Sequence, residues 1–432
     1  MSRETWIRFG AMYLPLMAVL LACVLRRNVP RRGVACLMSL VWAMVSLLAL
    51  QRLNQWAGWW SYEAGGVAVR GMPLEMYVGW VLLWGAVPPL LFVRTRLVWV
   101  AATMVVVDLL AMPLCAPVVM LGSRWLTGEV AAVALVLLPS LCLARWTLVD
   151  SHLRLRAAMQ VVLAGALVLF FMPEMIFAVR PGRDWAPLME TSIWARQLWV
   201  EMLVFFALPG VAGVMEFATR GEGTPIPYDP PKKLVQSGIY RYLANPMQLS
   251  CLLVMLVWAA WLPNGWMAAA AGMSVIYSAG LAEWDEAEDL KQRFGEEWMS
   301  YRNHVRNWWP RWRPYCPGAA SRLYMAETCG PCSELRSWLE AQKPMGLEIV
   351  EAESLPAGSI ERMRYVPGDG GEGVEGVRAL GCALEHLNLN WALAGSMLRL
   401  PLVWQSVQLV MDASGLGPRV LGKEKHCTDS PR

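Results

Sequence analysis

Long apolar runs occupy most of the chain before residue 283 and are separated by short polar segments. A helix needs about 20 apolar residues to cross the hydrocarbon core of a bilayer. From the lengths and flanks of the runs we predict about nine transmembrane helices. The predicted spans are Trp6–Leu25, Gly33–Leu50, Tyr77–Val93, Leu97–Leu121, Val130–Leu143, Ala157–Val179, Leu198–Met215, Met247–Leu262 and Trp266–Ala282.

After Pro314 the apolar runs stop, and the pattern changes to that of a small α/β domain. Leu323–Met325 predicts a short strand, and residues 333–342 have helical character. The predicted fold class is mainly α: a polytopic helical membrane bundle with a small C-terminal α/β domain. We divide the chain into an N-terminal transmembrane region (residues 1–150), a transmembrane core (151–315) and a C-terminal domain (320–432).

Composition agrees with a membrane protein. Of the 432 residues, 56% are hydrophobic and only 17% are charged, whereas soluble domains average about a quarter charged. The first apolar run is too long for a signal-peptide h-region and arginines follow it, so we expect it to remain as a transmembrane helix. The formal net charge is only +4, and the basic residues sit beside the spans. We therefore expect no nucleic-acid partner.

The basic residues beside the spans predict an orientation. Thirteen Lys and Arg fall on one side of the predicted spans and seven on the other, before the basic tail is counted. Cytoplasmic loops carry the excess of positive charge. We therefore expect an integral protein of a bacterial inner membrane, with the N-terminus outside and the C-terminal domain cytoplasmic.

Two polar segments flank the last predicted pair of spans. The first runs from Gly221 to Pro246, and the second from Glu283 to Pro310. Because two consecutive spans form a hairpin, both segments emerge on the same side of the membrane and can build one site. By themselves they predict only a helix capped by Asn245 with proline in its first turn, and a last span that continues as an amphipathic cytosolic helix with a solvated acidic face.

Together, these segments resemble the catalytic core of the isoprenylcysteine carboxyl methyltransferase and phospholipid methyltransferase families. Those families carry an Arg-(His/Asn)-Pro-x-Tyr motif before such a hairpin. After it they carry Glu-Glu-x-x-Leu and Phe-Gly-x-x-Tyr-x-x-Tyr. The resemblance covers about residues 200–315. The matching residues are Asn245, Pro246, Glu286, Phe294, Gly295 and Tyr301.

The resemblance implies a membrane enzyme that uses S-adenosylmethionine. The cofactor would sit at the cytosolic mouth of the bundle, and a lipid-like or isoprenoid acceptor would approach from the bilayer without leaving it. The resemblance also implies a catalytic role for Glu286. The cofactor contacts that it implies are Tyr240, Asn245, Pro246, Glu283, Glu286 and Tyr301.

Three positions differ from the family pattern. The arginine of the first motif is Ala244, its tyrosine is Gln248, and the second glutamate after the hairpin is Ala287. This chain therefore lacks the arginine, the tyrosine and one of the two glutamates of the family pattern. Either the acceptor differs from the usual ones or the bundle is a scaffold without methyltransferase activity.

Cys329 and Cys332 form a Cys-x-x-Cys pair between the predicted strand and helix of the C-terminal domain. A helix N-terminus favours the thiolate form of Cys329, so the pattern predicts a redox site, and a metal knuckle or a chance pair is the alternative. The four histidines are scattered and no second cysteine pair has ligand spacing, so we expect no metal site.

This C-terminal domain resembles the DCC family of thiol-disulfide oxidoreductases, which are small and thioredoxin-like. The resemblance implies that Cys329 and Cys332 are catalytic and that a thiol redox partner exists. Three positions differ. Ala326 replaces the aspartate of the DCC pattern, Thr328 replaces the tryptophan of thioredoxin, and Pro367 is poorly placed for the proline that faces the disulfide.

Three hypotheses follow. The first is an S-adenosylmethionine-dependent methyltransferase of a lipid-like acceptor with an attached thiol-disulfide domain. The second is a membrane-anchored thiol-disulfide oxidoreductase whose bundle is inactive. The third, a structural or transport bundle, rests on Asp108, Glu174 and Glu201 within predicted spans. For these acids we favour hydrogen bonds inside the bundle.

Overall fold

A computed structural model describes residues 2–25, 31–63, 65–179, 184–226, 229–327, 330–356 and 360–418, apart from the side chains of residues 25 and 281–287. The described chain is mainly helical, and seven of its helices are long and apolar enough to cross a membrane. This is the pattern of an integral membrane protein. The seven helices are Arg3–Val24, Arg32–Ala57, Leu74–Leu91, Leu97–Leu114, Trp125–Leu148, Leu153–Val179 and Ile193–Gly221.

Two further predicted spans are shorter helices, Pro246–Trp261 and Gly265–Tyr277. The predicted span Leu97–Leu121 is too long, because its helix ends at Leu114. Val119–Leu121 (β4) instead pairs antiparallel with Trp60–Tyr62 (β1). Prolines at 113 and 117 lack the N–H groups that would continue the helix.

The chain folds into two compact units, one of residues 1–184 with 226–228 and the other of 185–225 with 229–432. In the first unit, the six long apolar helices pack around one apolar core that includes Trp84, Met104 and Leu137. Ala68–Val69 (β2) and Met72–Pro73 (β3) form a second small antiparallel pair there. Short π-helical segments interrupt three of the helices, at Val81–Ala86, Val133–Leu137 and Leu167–Phe171.

The acids predicted inside spans make structural contacts. In the first unit, Glu174 is 1% exposed, and its carboxylate accepts hydrogen bonds from Arg52 (2.7 Å from Nη2) and Arg70. Asp108 accepts a hydrogen bond from Trp80 Nε1 at 2.8 Å. In the second unit, Glu201 is exposed and accepts a bond from Gln197. The sequence did not indicate that Glu174 has two basic partners.

In the second unit, the long helix Ile193–Gly221 packs closely against Pro246–Trp261. A Cβ at Gly213 would lie 2.9 Å from Pro246 Cγ, and Gly210 N donates to Ser250 Oγ at 2.7 Å. Small residues thus permit a close helix crossing. The chain reverses at Asn264, whose side chain caps the next helix by accepting from Trp266 N.

The second helix of this hairpin continues well beyond its apolar part. Gly265–Tyr277 leads without a break through the π-helical segment Ser278–Ala282 into Glu283–His304. This confirms that the last predicted span continues as a polar helix. Gly295 lies inside that helix with φ 53°, a left-handed conformation that glycine adopts without steric cost, and it marks a kink.

The C-terminal part of the second unit contains a four-stranded sheet. Its strands are Ser321–Met325 (β5), Leu347–Glu351 (β6), Arg364–Val366 (β7) and Val374–Glu375 (β8). The strand order is β6-β5-β7-β8. β5 and β6 are parallel and the other pairs are antiparallel. The helices are Gly330–Ala341, Val377–Leu384, Leu389–Arg399 and Val403–Met411.

Candidate functional site

The two polar segments that flank the helical hairpin are joined by backbone hydrogen bonds. Ala244 N donates to Arg306 O at 2.9 Å, Arg311 N donates to Tyr242 O at 3.0 Å, and Tyr315 N donates to Arg241 O at 2.9 Å. The segment that begins the Pro246–Trp261 helix is therefore held against the segment that follows the Glu283–His304 helix. The structure brings together the two parts of the chain that carry the methyltransferase-like motifs.

Tyr240 and Tyr301 lie in this junction, and both are buried. The Tyr301 hydroxyl donates to the backbone carbonyl of Tyr240 at 2.8 Å, and its side chain is only 2% exposed. Burial raises the pKa of Tyr301 above its usual range. The Tyr240 ring stacks on Phe217 at a centroid distance of 5.2 Å. In this structure both tyrosines hold the two segments together.

Asn245 and Pro246 begin the first helix of the hairpin. Pro246 is its first residue, as predicted, where a missing N–H costs nothing. The prediction that Asn245 caps this helix is wrong, because its side chain accepts no hydrogen bond from a backbone N–H group. The amide instead donates from Nδ2 to Gln248 Oε1 at 3.1 Å. Gln248 therefore accepts a hydrogen bond from Asn245, the residue directly before the helix.

Glu283 and Glu286 lie within the Glu283–His304 helix, but their side chains are outside the described residues. Ala244 packs against Tyr301 and Val305 in a small apolar cluster. The guanidinium of Arg241, three residues before Ala244, contacts Cys316 and His386.

A buried polar network surrounds that guanidinium. Arg241 Nη1 lies 2.9 Å from Cys316 Sγ and 3.1 Å from His386 Nδ1. His386 Nε2 is 2.9 Å from the hydroxyl of Tyr365, which donates to Ser321 Oγ. Burial and the neighbouring Arg241 charge lower the pKa of His386 well below its ordinary value, so its imidazole is neutral.

A second buried cluster consists of one arginine and two carboxylates. Arg399 Nη1 lies 2.6 Å from Glu216 Oε1 and 2.5 Å from Glu385 Oε1. Ser237 Oγ donates to the other oxygen of Glu216 at 2.5 Å. Burial raises the pKa of Glu385 to about 7, with a further contribution from Glu216, although Arg399 opposes the shift. This cluster was not predicted from the sequence, because Glu216 lies far along the chain from the other two charges.

Cys332 occupies the first turn of the Gly330–Ala341 helix, which follows β5. It lines a cavity of about 230 Å³. The apolar side chains around it are Ala326, Pro331, Leu335, Met363, Met411 and Leu416. Arg362 and Gln408 also line the cavity, and Arg362 Nη2 lies 2.7 Å from Asp412 Oδ2. Cys329 lies outside the described residues.

Strand β7 has no proline directly before it. Met363 precedes β7, and Pro367 comes after the last residue of that strand. Ala326, which follows the last residue of β5, is buried and lines the cavity. The cavity wall is therefore apolar at this position.

Comparisons with protein-family models, curated proteins and solved structures give no match for this chain.

Proposed function

We propose that the C-terminal domain exchanges thiols and disulfides through Cys329 and Cys332. The observation that carries this proposal is the position of Cys332, in the first turn of a helix that follows a parallel strand and on the wall of an apolar cavity. The strand order β6-β5-β7-β8, with only the β5–β6 pair parallel, supports a thioredoxin-like fold. Thiol redox sites occur at such helix starts.

The proposed exchange needs only the two sulfurs and a partner disulfide. One cysteine thiolate attacks a sulfur of the partner, whose S–S bond breaks and releases one partner thiolate. The second cysteine then attacks the mixed disulfide, forms the Cys329–Cys332 bond and releases the second partner thiolate. Two electrons pass from the protein to the partner. The cavity beside Cys332 fits a partner with a small apolar group next to its sulfur.

The test is the reduction potential of the pair in the full-length protein. The protein is equilibrated in glutathione buffers of graded redox ratio, and the remaining thiols at 329 and 332 are counted by alkylation and mass spectrometry. We expect a two-electron titration that Cys332→Ser abolishes and Cys23→Ser leaves unchanged. Independent one-thiol titrations at the two positions would contradict the proposal.

The second candidate function is methyl transfer from S-adenosylmethionine to a lipid-like acceptor. It is supported by the backbone bonds that join residues 241–244 to residues 306–315 at one end of the helical hairpin. The described residues fit the cofactor only in part. Asn245 is bonded to Gln248, and Tyr240 and Tyr301 are buried in the junction. For this reason methyl transfer ranks second.

Calorimetric titration of the purified protein with S-adenosylmethionine tests this candidate. An Asn245→Ala, Glu286→Ala double variant is expected to lose binding, and Glu340→Ala, an exposed acid of the C-terminal domain, is the control. Absence of saturable binding in the unaltered protein would reject methyl transfer without affecting the thiol proposal. The bundle would then be the membrane anchor of an oxidoreductase.

The proposed topology adds the hairpin Pro246–Trp261 and Gly265–Ala282 to the seven long helices, which gives nine spans. The polar helix after the hairpin and the C-terminal domain would both face the cytoplasm of a bacterial inner membrane, as the distribution of Lys and Arg predicts. Protease protection of the C-terminal domain in inverted membrane vesicles would contradict this orientation.

A further inference from the structure

An exposed loop rich in tryptophan and arginine follows the helical hairpin. We define it as residues 305–314, and its sequence is VRNWWPRWRP. Val305, Asn307 and Pro314 point into the protein and are buried. Between them, Trp309 is 75% exposed and Trp312 is 56% exposed. The loop therefore presents two large indole rings outward.

The same loop also presents positive charge without a matching acid. Arg306 and Arg313 are exposed and Arg311 is half-buried. No carboxylate in the described part of the chain forms an ion pair with any of these three arginines. Arg311 donates to the backbone carbonyl of His304 and lies over the Tyr315 ring, which fixes its direction.

Backbone hydrogen bonds place the loop at the end of two apolar helices. Residues 306 and 311 bond to Ala244 and Tyr242, directly before the apolar helix that begins at Pro246. Pro246 in turn packs on Gly213, near the end of the membrane-length helix Ile193–Gly221. The loop is therefore held at the level where apolar helices give way to polar chain. In the proposed nine-span topology this level is the boundary between hydrocarbon and water.

Indole rings and arginines have known preferences at that boundary. Tryptophan settles at the headgroup level, where its ring is partly apolar and its N–H remains wet. Arginine forms two parallel hydrogen bonds to a phosphate, and anionic lipid attracts each basic residue near the surface. We propose that residues 305–314 bind the headgroup of an anionic phospholipid. The backbone of this loop belongs to the junction that supports methyl transfer, but its arginine and tryptophan side chains have no role in either proposed activity.

The binding is measured on the full-length protein in neutral detergent by native mass spectrometry, with phosphatidylglycerol and phosphatidylcholine titrated separately. We expect tighter binding of phosphatidylglycerol. An Arg306→Gln, Arg311→Gln, Arg313→Gln variant is expected to weaken that binding by about fivefold per arginine, on the order of a hundredfold if the three effects add. Its phosphatidylcholine binding should weaken much less, because the choline cation leaves that headgroup without net charge.

Two further variants separate the headgroup site from general effects. Arg322→Gln, Arg336→Gln, Arg364→Gln removes the same charge from the C-terminal domain, where each arginine has a carboxylate partner, and should keep the preference. Trp309→Gln, Trp312→Gln should weaken binding of both lipids equally, since an indole does not distinguish their charge.

Equal losses in the two triple variants would overturn the proposal. So would displacement of phosphatidylglycerol by inorganic phosphate at equal concentration, because that result would assign the arginines to a soluble anion. If the glutamine variant fails to fold, the variant Arg306→Lys, Arg311→Lys, Arg313→Lys replaces it, since lysine keeps the charge but lacks the paired donors. An unchanged affinity of this variant for phosphatidylglycerol would contradict paired hydrogen bonds from arginine to the lipid phosphate.

Discussion

Arg399 Nη1 lies 2.6 Å from Glu216 Oε1 and also contacts Glu385, so one cation holds two buried carboxylates. Glu216 belongs to the long helix Ile193–Gly221, whereas Arg399 ends the helix Leu389–Arg399 of the C-terminal part. The ion pair therefore ties that part to an apolar helix of the same unit. A buried charge is stable only with a partner.

We expect Arg399→Met to destabilise the second unit strongly. Above about pH 7 the substitution leaves two carboxylates buried without a cation, and removal of one partner from a buried ion pair costs about 3–5 kcal/mol. The measurement is the free energy of unfolding in detergent. Arg322→Met is the control, since Arg322 is exposed, and its effect should be small. Equal effects of the two substitutions would contradict the proposed role of the cluster.

The raised pKa of Glu385 predicts that the stability of the folded protein decreases as the pH rises, which is the opposite of the effect of an acid whose pKa is lowered by folding. Its pKa is about 7 in the folded protein, because of burial, against an ordinary value of 4.5 in the unfolded chain. Between these values the folded state binds more protons, so this group contributes stability that is lost as pH rises from about 4.5 to about 7. The groups that face it are Arg399, Glu216 and Arg241.

The variant Glu385→Gln tests this sign. Its neutral amide does not titrate. The fall in unfolding temperature from about pH 4.5 to about pH 7 should therefore be smaller in this variant than in the unaltered protein. Glu340→Gln, an exposed acid bonded to Arg336, is the control. A pH profile identical in Glu385→Gln and in the unaltered protein would refute the assignment.

The sequence predicted the features that depend on local pattern. Hydrophobic run lengths located the long helices, and the strand before Cys329 and the helix after it were found near their observed positions. The continuation of the last apolar helix into Glu283–His304 was also predicted correctly, because acids recur there at helical spacing.

Features that depend on competing or distant partners were not predictable in this way. Asn245 was expected to cap a helix, but Gln248, on the first turn of that helix, binds its amide instead. The neighbours of the Arg241 guanidinium, Cys316 and His386, come from segments far along the chain. Sequence spacing carries no information about such contacts.

In the first unit, we expect Glu174→Leu to lower stability. Arg52 and Arg70 both donate to the Glu174 carboxylate, which is 1% exposed. Each arginine side chain keeps about a third of its surface in solvent, so the loss should be moderate, about 2 kcal/mol. Thermal unfolding in detergent measures it. Glu201→Leu, which alters an exposed acid, should change the unfolding temperature much less.

A close approach of two helices at Gly79 in the first unit gives a steric prediction. A Cβ at Gly79 would lie 2.1 Å from the backbone carbonyl oxygen of Ala11. Backbone atoms of a packed helix cannot move aside as a flexible side chain can, so Gly79→Ala must push the two helices apart. We expect a loss of about 1–3 kcal/mol in the free energy of unfolding.

Gly165→Ala is the matched substitution, because it adds the same methyl group to a helix where nothing lies within 4 Å. Alanine favours a helix over glycine by about 1 kcal/mol, so this variant should be neutral or more stable. Helix propensity acts in the same direction at both sites, and the difference between the two variants therefore isolates the steric contact. If Gly79→Ala proves as stable as Gly165→Ala, the helices Arg3–Val24 and Leu74–Leu91 do not cross at Ala11 and Gly79 in the folded protein.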